Sequence, residues 1–400
     1  VSVTSPGSNP TVEALGVAVA ARVPVLLWGA PGTGKTSAIR AMARSMGLPC
    51  ETVIASIREP SDFAGLPIVV GGEVRFAPPA WARRLAEAGH GLLFLDELST
   101  APPAVQAALL RVVLERAVGD LTLPDEVAVV AAANPPEQAA DGWDLSAPLA
   151  NRLCHLDWQT DPRAVADGLA GGWAAPVVPA LPAGWQATEL LSRGLVAAFL
   201  HVRPALACAP PSDPASAGRG WPSPRTWEMA ARLMAAAGAA GSGGAGGAGG
   251  AGGAGGAGGA GGRGDEARSA LVRGAVGDGA GVEFLAWLIE MDLPDPEEVL
   301  ADPASFRLPE RGDRAYAALA AVAAAVAADP TPERWTAGWQ VLGLAADAAP
   351  DVAAVAARIL ARCRPDGAAL PPEIKLFAPV LRDAGLLQAQ GGTGGRVAPP

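Results

Sequence analysis

Lysine is nearly missing from this chain: of 30 basic residues, only Lys35 and Lys375 are not arginine. A lysine that persists against such a bias marks a position where a broad guanidinium fork does not serve. Cysteine is scarce too. Cys50, Cys154, Cys208 and Cys363 lie far apart with no CxxC pair, and His90, His155 and His201 are equally scattered. That spacing excludes a zinc ribbon or a disulfide framework and suits a reducing compartment. Charged residues make up only 18% of the sequence and the net charge is −10, so no broad basic surface for nucleic acid is expected. The opening VSVTSPGSNP has neither a basic start nor an apolar core, so no signal peptide is expected there. The longest apolar stretches, such as residues 315–328, are alanine-rich and too short and weak to span a bilayer. The expectation is a cytoplasmic protein without membrane insertion.

What is present is ample apolar material: 50% of 400 residues are hydrophobic, enough for two or three packed domains. The 50 glycines are distributed unevenly, 15 of them falling within residues 241–262. That Gly-Gly-Ala tract contains no proline, which separates it from collagen and makes it a flexible linker by composition.

Hydrophobic periodicity organises the remainder. Residues 11–22 predict a helix. Residues 23–28 form a continuous apolar run that ends in glycine, as a buried parallel strand does. A second strand is expected at 51–54, a third at 91–95, a fourth at 126–133 and a fifth at 153–158. Helices are expected from the glycine-rich turn to residue 46, at 85–88 and at 102–117. Residues 66–70 and 73–76, joined by Gly71-Gly72, read as a hairpin. Strands alternating with helices imply a parallel sheet covered on both faces. Beyond residue 160 only helical patterns remain, at 187–202, 224–237, 282–291, 311–327, 331–348 and 352–363, with loops at 171–184 and 204–224.

The fold class predicted is therefore α/β, a P-loop αβα sandwich on a five-stranded parallel sheet. An all-α lid and an extended C-terminal helical region follow it. The expected domains are a nucleotide-binding core at 10–160, a helical lid at 185–240, a linker at 241–262, a helical region at 263–385 and a tail at 386–400.

Gly29, Ala30, Pro31, Gly32, Thr33, Gly34, Lys35 and Thr36 spell the phosphate-binding pattern GxxxxGKT, after a strand and before a helix that opens with Ser37. Its glycines let backbone N–H groups turn towards phosphate oxygens, and the new helix adds its positive end. Lys35 supplies a compact charge for the β- and γ-phosphates, and Thr36 a hydroxyl for Mg²⁺. Asp96 and Glu97 close the third strand at the edge where ligands gather in open α/β sheets. Asp96 suits the Mg²⁺ shell, while Glu97 can polarise an attacking water. Asn134 ends the next strand and can orient that water. Arg152 and Arg225 are singly weak signals.

Taken together, GAPGTGKT, LLFLDELSTAPPAVQAALLRVVLER, AAANPPE, LSAPLANRL and GWPSPRTWEMA resemble the AAA+ ATPases over about residues 10–240. The nearest likeness is to the MoxR-type and dynein-related members with a helix-2 insert. The resemblance implies ATP and Mg²⁺ as cofactors, Asp96 and Glu97 as the Walker B pair, and Asn134 as sensor 1. It implies Arg152 as the finger reaching a neighbour's γ-phosphate and Arg225 as sensor 2. The hairpin near 66–76 would be the helix-2 insert, and 118–126 the presensor hairpin. Such proteins usually form hexameric rings that remodel partners, often ones carrying a von Willebrand factor A domain. This chain departs from the commoner family wording at Leu98-Ser99-Thr100 and at Asn151-Arg152-Leu153. A nucleic-acid motor, a low-turnover nucleotide switch and a P-loop kinase are the competing readings. The acidic composition weighs against the first of these. Glu97, Asn134 and Arg152 weigh against the second, and the missing acceptor-site signature against the third.

Overall fold

A computed structural model describes residues 9–135, 138, 143–242 and 263–386. Most of the linker expected at 241–262, nearly all of the terminal tail and residues 1–8 lie outside the described residues.

Asn9 caps the first helix, α1 (Pro10–Ala20), by accepting a hydrogen bond from the Thr11 N–H, and Pro10 fits the first turn, where no amide partner is needed. Strand β1 (Val25–Trp28) follows, then α2 (Lys35–Ser45) and β2 (Cys50–Ile54). A single turn, α3 (Ser61–Ala64), leads into the hairpin β3 (Leu66–Val70) and β4 (Glu73–Ala77). Next come α4 (Ala80–Ala88), β5 (Gly91–Asp96) and α5 (Pro103–Glu115). A small ribbon, β6 (Ala117–Val118) with β7 (Leu121–Thr122), precedes β8 (Val127–Ala133), the turn α6 (Ala147–Ala150) and β9 (Cys154–Asp157). Helices α7 (Pro162–Gly171), α8 (Glu189–Val202), α9 (Pro214–Ala217), α10 (Pro224–Ser242), α11 (Arg263–Val276) and α12 (Asp278–Glu290) complete this part.

The sheet has five strands in the order β2-β5-β8-β1-β9, and every pairing is parallel. Register fixes the functional edge. Trp28 stands beside Ala133 and Asp157, and Asp96 beside Ile54, so the carboxyl ends of all five strands finish at one level. The inner strands β1, β5 and β8 are buried almost without break, which explains their continuous apolar runs. The core beneath the sheet gathers Leu26, Leu93, Leu95, Val129 and Ala131 with Leu98, Val105 and Leu109 from the segment after β5.

Some boundaries differ from expectation for physical reasons. Helix α5 begins at Pro103 rather than 102, because Leu98–Thr100 first makes a tight 3-10 turn and the Thr100 hydroxyl donates to the Glu97 carbonyl. Helices α7 and α11 arise in segments for which no helical pattern was predicted. Asp161 caps α7 by accepting from the Arg163 N–H.

Backbone contacts divide the described chain into two compact units, one holding residues 9–196, 203–242 and 263–288 and the other 197–202 and 289–386. Helix α11, placed by the sequence reading in the C-terminal region, packs in the first unit against α1, α10 and β9. The second unit is wholly helical: α13 (Pro296–Ala301), α14 (Gly312–Ala328), α15 (Pro332–Ala345), α16 (Pro350–Arg362) and α17 (Ala378–Asp383). Helix α14 is its buried centre. Arg334 pairs with both oxygens of Glu297 at 2.5 and 2.9 Å, and the Trp335 indole donates to the Leu360 carbonyl at 2.7 Å. Among the described residues, no helix is long and apolar enough to cross a membrane.

Candidate functional site

The loop between β1 and α2 needs its glycines. A Cβ on Gly29 would stand 2.9 Å from the Trp158 carbonyl oxygen, while Gly32 and Gly34 hold φ of +77° and +86°. Backbone bonds from Gly29 to the Ala133 carbonyl (3.1 Å) and from Trp158 to the Trp28 carbonyl (2.6 Å) moor the loop to β8 and β9. The Trp158 indole donates to the Thr33 carbonyl at 3.1 Å, and the Thr33 hydroxyl closes the turn on the Ala30 carbonyl at 2.7 Å. Ala30 is half-buried and Pro31 exposed on this loop, and Ser37 sits in the first turn of α2.

Lys35 is 8% exposed although it carries a charge. Its Nζ donates to the Gly29 and Ala30 carbonyls (2.5 and 2.9 Å) and to Asn134 Oδ1 (3.2 Å). Burial pushes its ammonium below the ordinary lysine value, and the nearby Asp96 carboxylate opposes that shift. Thr36 Oγ1 donates to Asp96 Oδ2 at 2.8 Å, so a hydroxyl and a carboxylate converge beside the lysine. These are hard oxygen donors of the kind Mg²⁺ takes, one or two from the protein with the remainder from phosphate and water.

Glu97 sits in the left-handed region at φ +56°, unusual for a residue with a Cβ. The Asp96 carboxylate accepts from its N–H at 3.0 Å, Thr100 donates to its carbonyl at 3.0 Å, and the Ser56 hydroxyl donates to its Oε2 at 2.5 Å. Asn134 is held by its own N–H on Ser99 Oγ at 3.2 Å, which fixes the amide beside Lys35. Lys35, Thr36, Asp96, Glu97 and Asn134 thus come together at the carboxyl ends of β1, β5 and β8.

Arg152 and Arg225 form a second, separate pair. Arg152 Nη1 donates to the Pro148 carbonyl. Burial, and then the neighbouring Arg225 guanidinium, hold it below the ordinary arginine value. No hydrogen bond or ion pair among the described residues joins this pair to the cluster around Lys35.

Ser56, Ser99 and Trp158 support the cluster and were not foreseen. Only Ser99 carried a signal, lying two residues beyond Glu97. His155 bridges two segments: Nδ1 accepts from the Trp28 indole (2.9 Å) and Nε2 bonds the Ala150 carbonyl (2.9 Å).

Residues 24–152 match the model of the ATPase family associated with various cellular activities (AAA). Protein MoxR of Methylorubrum extorquens is 33% identical over 114 residues, covering 28% of this chain and 33% of that protein. Chaperone MoxR1 of Mycobacterium tuberculosis is 32% identical over 136 residues, covering 33% of this chain and 35% of its own length. The similarity therefore spans about a third of these relatives. A solved full-length MCM homologue from Methanopyrus kandleri covers 72% of this chain and 55% of its own at 18% identity and a TM-score of 0.35, too distant a likeness to argue from. Through residues 24–152, this chain is similar to the AAA+ ATPases of the MoxR type.

Proposed function

We propose that the chain binds ATP with Mg²⁺, hydrolyses it, and uses the cycle to remodel a protein partner as one subunit of a ring. The observation that carries this reading is the convergence of Lys35, Thr36, Asp96, Glu97 and Asn134 at one sheet edge. Backbone N–H groups of the loop from Gly29 to Gly34 and the start of α2 cradle the phosphates, and Lys35 neutralises their oxygens. Mg²⁺ would be held by Thr36 and Asp96, supplying charge at the β- and γ-phosphate oxygens. Glu97 takes up the proton of the attacking water as it is polarised. Asn134, fixed by Ser99 and Lys35, orients that water towards the γ-phosphate.

The separateness of the Arg152–Arg225 pair supports completion of the site by a neighbour. An arginine presented across a subunit interface stabilises charge on the transferred phosphoryl group. A head-to-tail interface of that kind closes into a ring, and six subunits is the proposed number. The partner-facing element is the β3–β4 hairpin, where Leu66, Ile68, Val69, Val70, Val74 and Phe76 are all exposed. An apolar ribbon suits a protein partner, here proposed to carry a von Willebrand factor A domain. The net charge of −10 suits it better than a nucleic-acid strand.

The test is ATPase activity with Mg²⁺ against protein concentration, for wild type beside Arg152→Ala. Activity per subunit that climbs with concentration and falls to a slow residual rate in Arg152→Ala is the expected result. Activity independent of concentration and indifferent to Arg152 would overturn the ring reading.

A further inference from the structure

We infer that Asn151 is a positioning residue that locks the Arg152 segment to the Ser223-Pro224-Arg225 turn, so that the two arginines are presented as one unit. This rests on the proposed role of Arg152. Asn151 is 4% exposed, Ser223 6% and Thr226 fully buried, so each polar atom among them needs a partner. Asn151 Nδ2 donates to the Trp221 carbonyl at 3.2 Å, and its Oδ1 accepts from Ser223 Oγ at 2.8 Å. The orientation of the amide is fixed by chemistry, because a carbonyl only accepts. On the other side, the Ser223 N–H donates to Thr226 Oγ1 at 2.8 Å, and the Thr226 N–H to Ser223 Oγ at 3.3 Å. This closes the first turn of α10, which carries Arg225.

The arrangement has two further anchors. The Asn151 N–H bonds the Ala147 carbonyl at 3.0 Å and the Arg152 N–H the Leu149 carbonyl at 3.1 Å, so α6 fixes the backbone of both residues. His155 then ties the Ala150 carbonyl to Trp28, the residue just before the phosphate-binding loop. Arg152 thus follows a residue clasped to the turn bearing Arg225, and both sit on a frame joined to β1. Two guanidinium groups near enough to repel will splay apart unless their backbones are held. The clasp holds them.

The test measures single-turnover ATP hydrolysis and fluorescent-ADP affinity for Asn151→Ala and Ser223→Ala, each in the Arg152 and the Arg152→Ala backgrounds. A residue acting through Arg152 lowers kcat roughly tenfold, as misplacement of a catalytic group does, with nucleotide affinity unchanged. It then adds no further loss once Arg152 is gone. Ser223→Ala should show a smaller loss with the same dependence on Arg152, and it serves alone if Asn151→Ala does not fold. Equal fractional losses in both backgrounds, or a loss confined to nucleotide affinity or melting temperature, would make the clasp merely structural and overturn the inference. So would full turnover in both variants. Full turnover in Arg152→Ala itself would instead remove the finger assignment, and the inference with it.

Discussion

Lys35 and Glu97 owe their orientation to the neighbours that bind them. Replacing Lys35 by arginine keeps the charge, yet a planar fork does not reproduce the three hydrogen bonds that the compact ammonium makes to the Gly29 and Ala30 carbonyls and Asn134. Lys35→Arg is expected to weaken fluorescent-ATP binding roughly tenfold or more, read by titration. Ser56 aims the Glu97 carboxylate, and the exposed contact costs little to break. Ser56→Ala should therefore lower kcat several-fold while leaving KM for ATP unchanged, because the carboxylate loses its aim. His155 sets a pH dependence of stability. Burial lowers its pKa from 6.5 to about 4, partly opposed by the hydrogen bond to Ala150, with Arg219 and Asp157 facing the ring. The folded protein keeps the ring neutral while the unfolded chain protonates near pH 6.5. Its contribution is thus complete above that pH and is lost as pH falls towards 4. The full loss is on the order of 3 kcal/mol. His155→Gln should flatten the fall in urea-unfolding stability between pH 6.5 and 4.5; an unchanged slope would place the effect on other groups.

Two ribbons meet at a close backbone approach that permits only glycine. A Cβ on Gly119, where φ is +61°, would stand 2.5 Å from the Phe76 carbonyl oxygen. Asp120 adds two bonds there, its N–H to the Phe76 carbonyl (3.0 Å) and its carboxylate from the Phe76 N–H (2.9 Å). The β3–β4 hairpin and the β6–β7 ribbon are thereby clamped, and α5 links that clamp back to Glu97. Gly119→Ala combines a steric clash with an unfavourable φ, and it should cost about 1–3 kcal/mol in thermal or urea unfolding, with ATP affinity retained. The hairpin itself was legible in the sequence, because Gly71-Gly72 is a pair suited to a two-residue turn between twisted strands, and both residues take positive φ there. The inner strands were legible for the same kind of local reason, being apolar at every position. Helix α11 was not. It follows the glycine tract, contains Gly264 and Gly274, and earns its place through a long-range fit: a Cβ on Gly274 would stand 2.2 Å from the His155 carbonyl oxygen on β9. The same distinction runs through the site. Lys35, Thr36 and Asp96 announce themselves because the phosphate and Mg²⁺ binding proposed for them dictates their spacing, whereas Ser56, Asn151 and His155 act through partners 41, 72 and 127 residues away.

At the scale of the assembled molecule, the two arginines and the cluster around Lys35 make different demands on the chain. If Arg152 serves a neighbour's site, the defects of Glu97→Gln and Arg152→Ala lie in different halves of one composite site. Glu97→Gln removes the base from a subunit's own cluster but leaves its Arg152 clasped and presentable. Arg152→Ala does the reverse. Each variant alone should turn over ATP only at a slow residual rate, since every interface in a homogeneous ring lacks one component. Mixed in equal amounts with subunit exchange, some Arg152→Ala subunits acquire a Glu97→Gln neighbour, and those sites are complete. Random head-to-tail assembly gives a working interface at about a quarter of positions, so the mixture should recover about that fraction of wild-type turnover per subunit. The recovery should grow with protein concentration, because it depends on association. A mixture as inactive as its components, although each variant binds fluorescent ATP and exchanges subunits, would mean that Arg152 serves the site of its own chain.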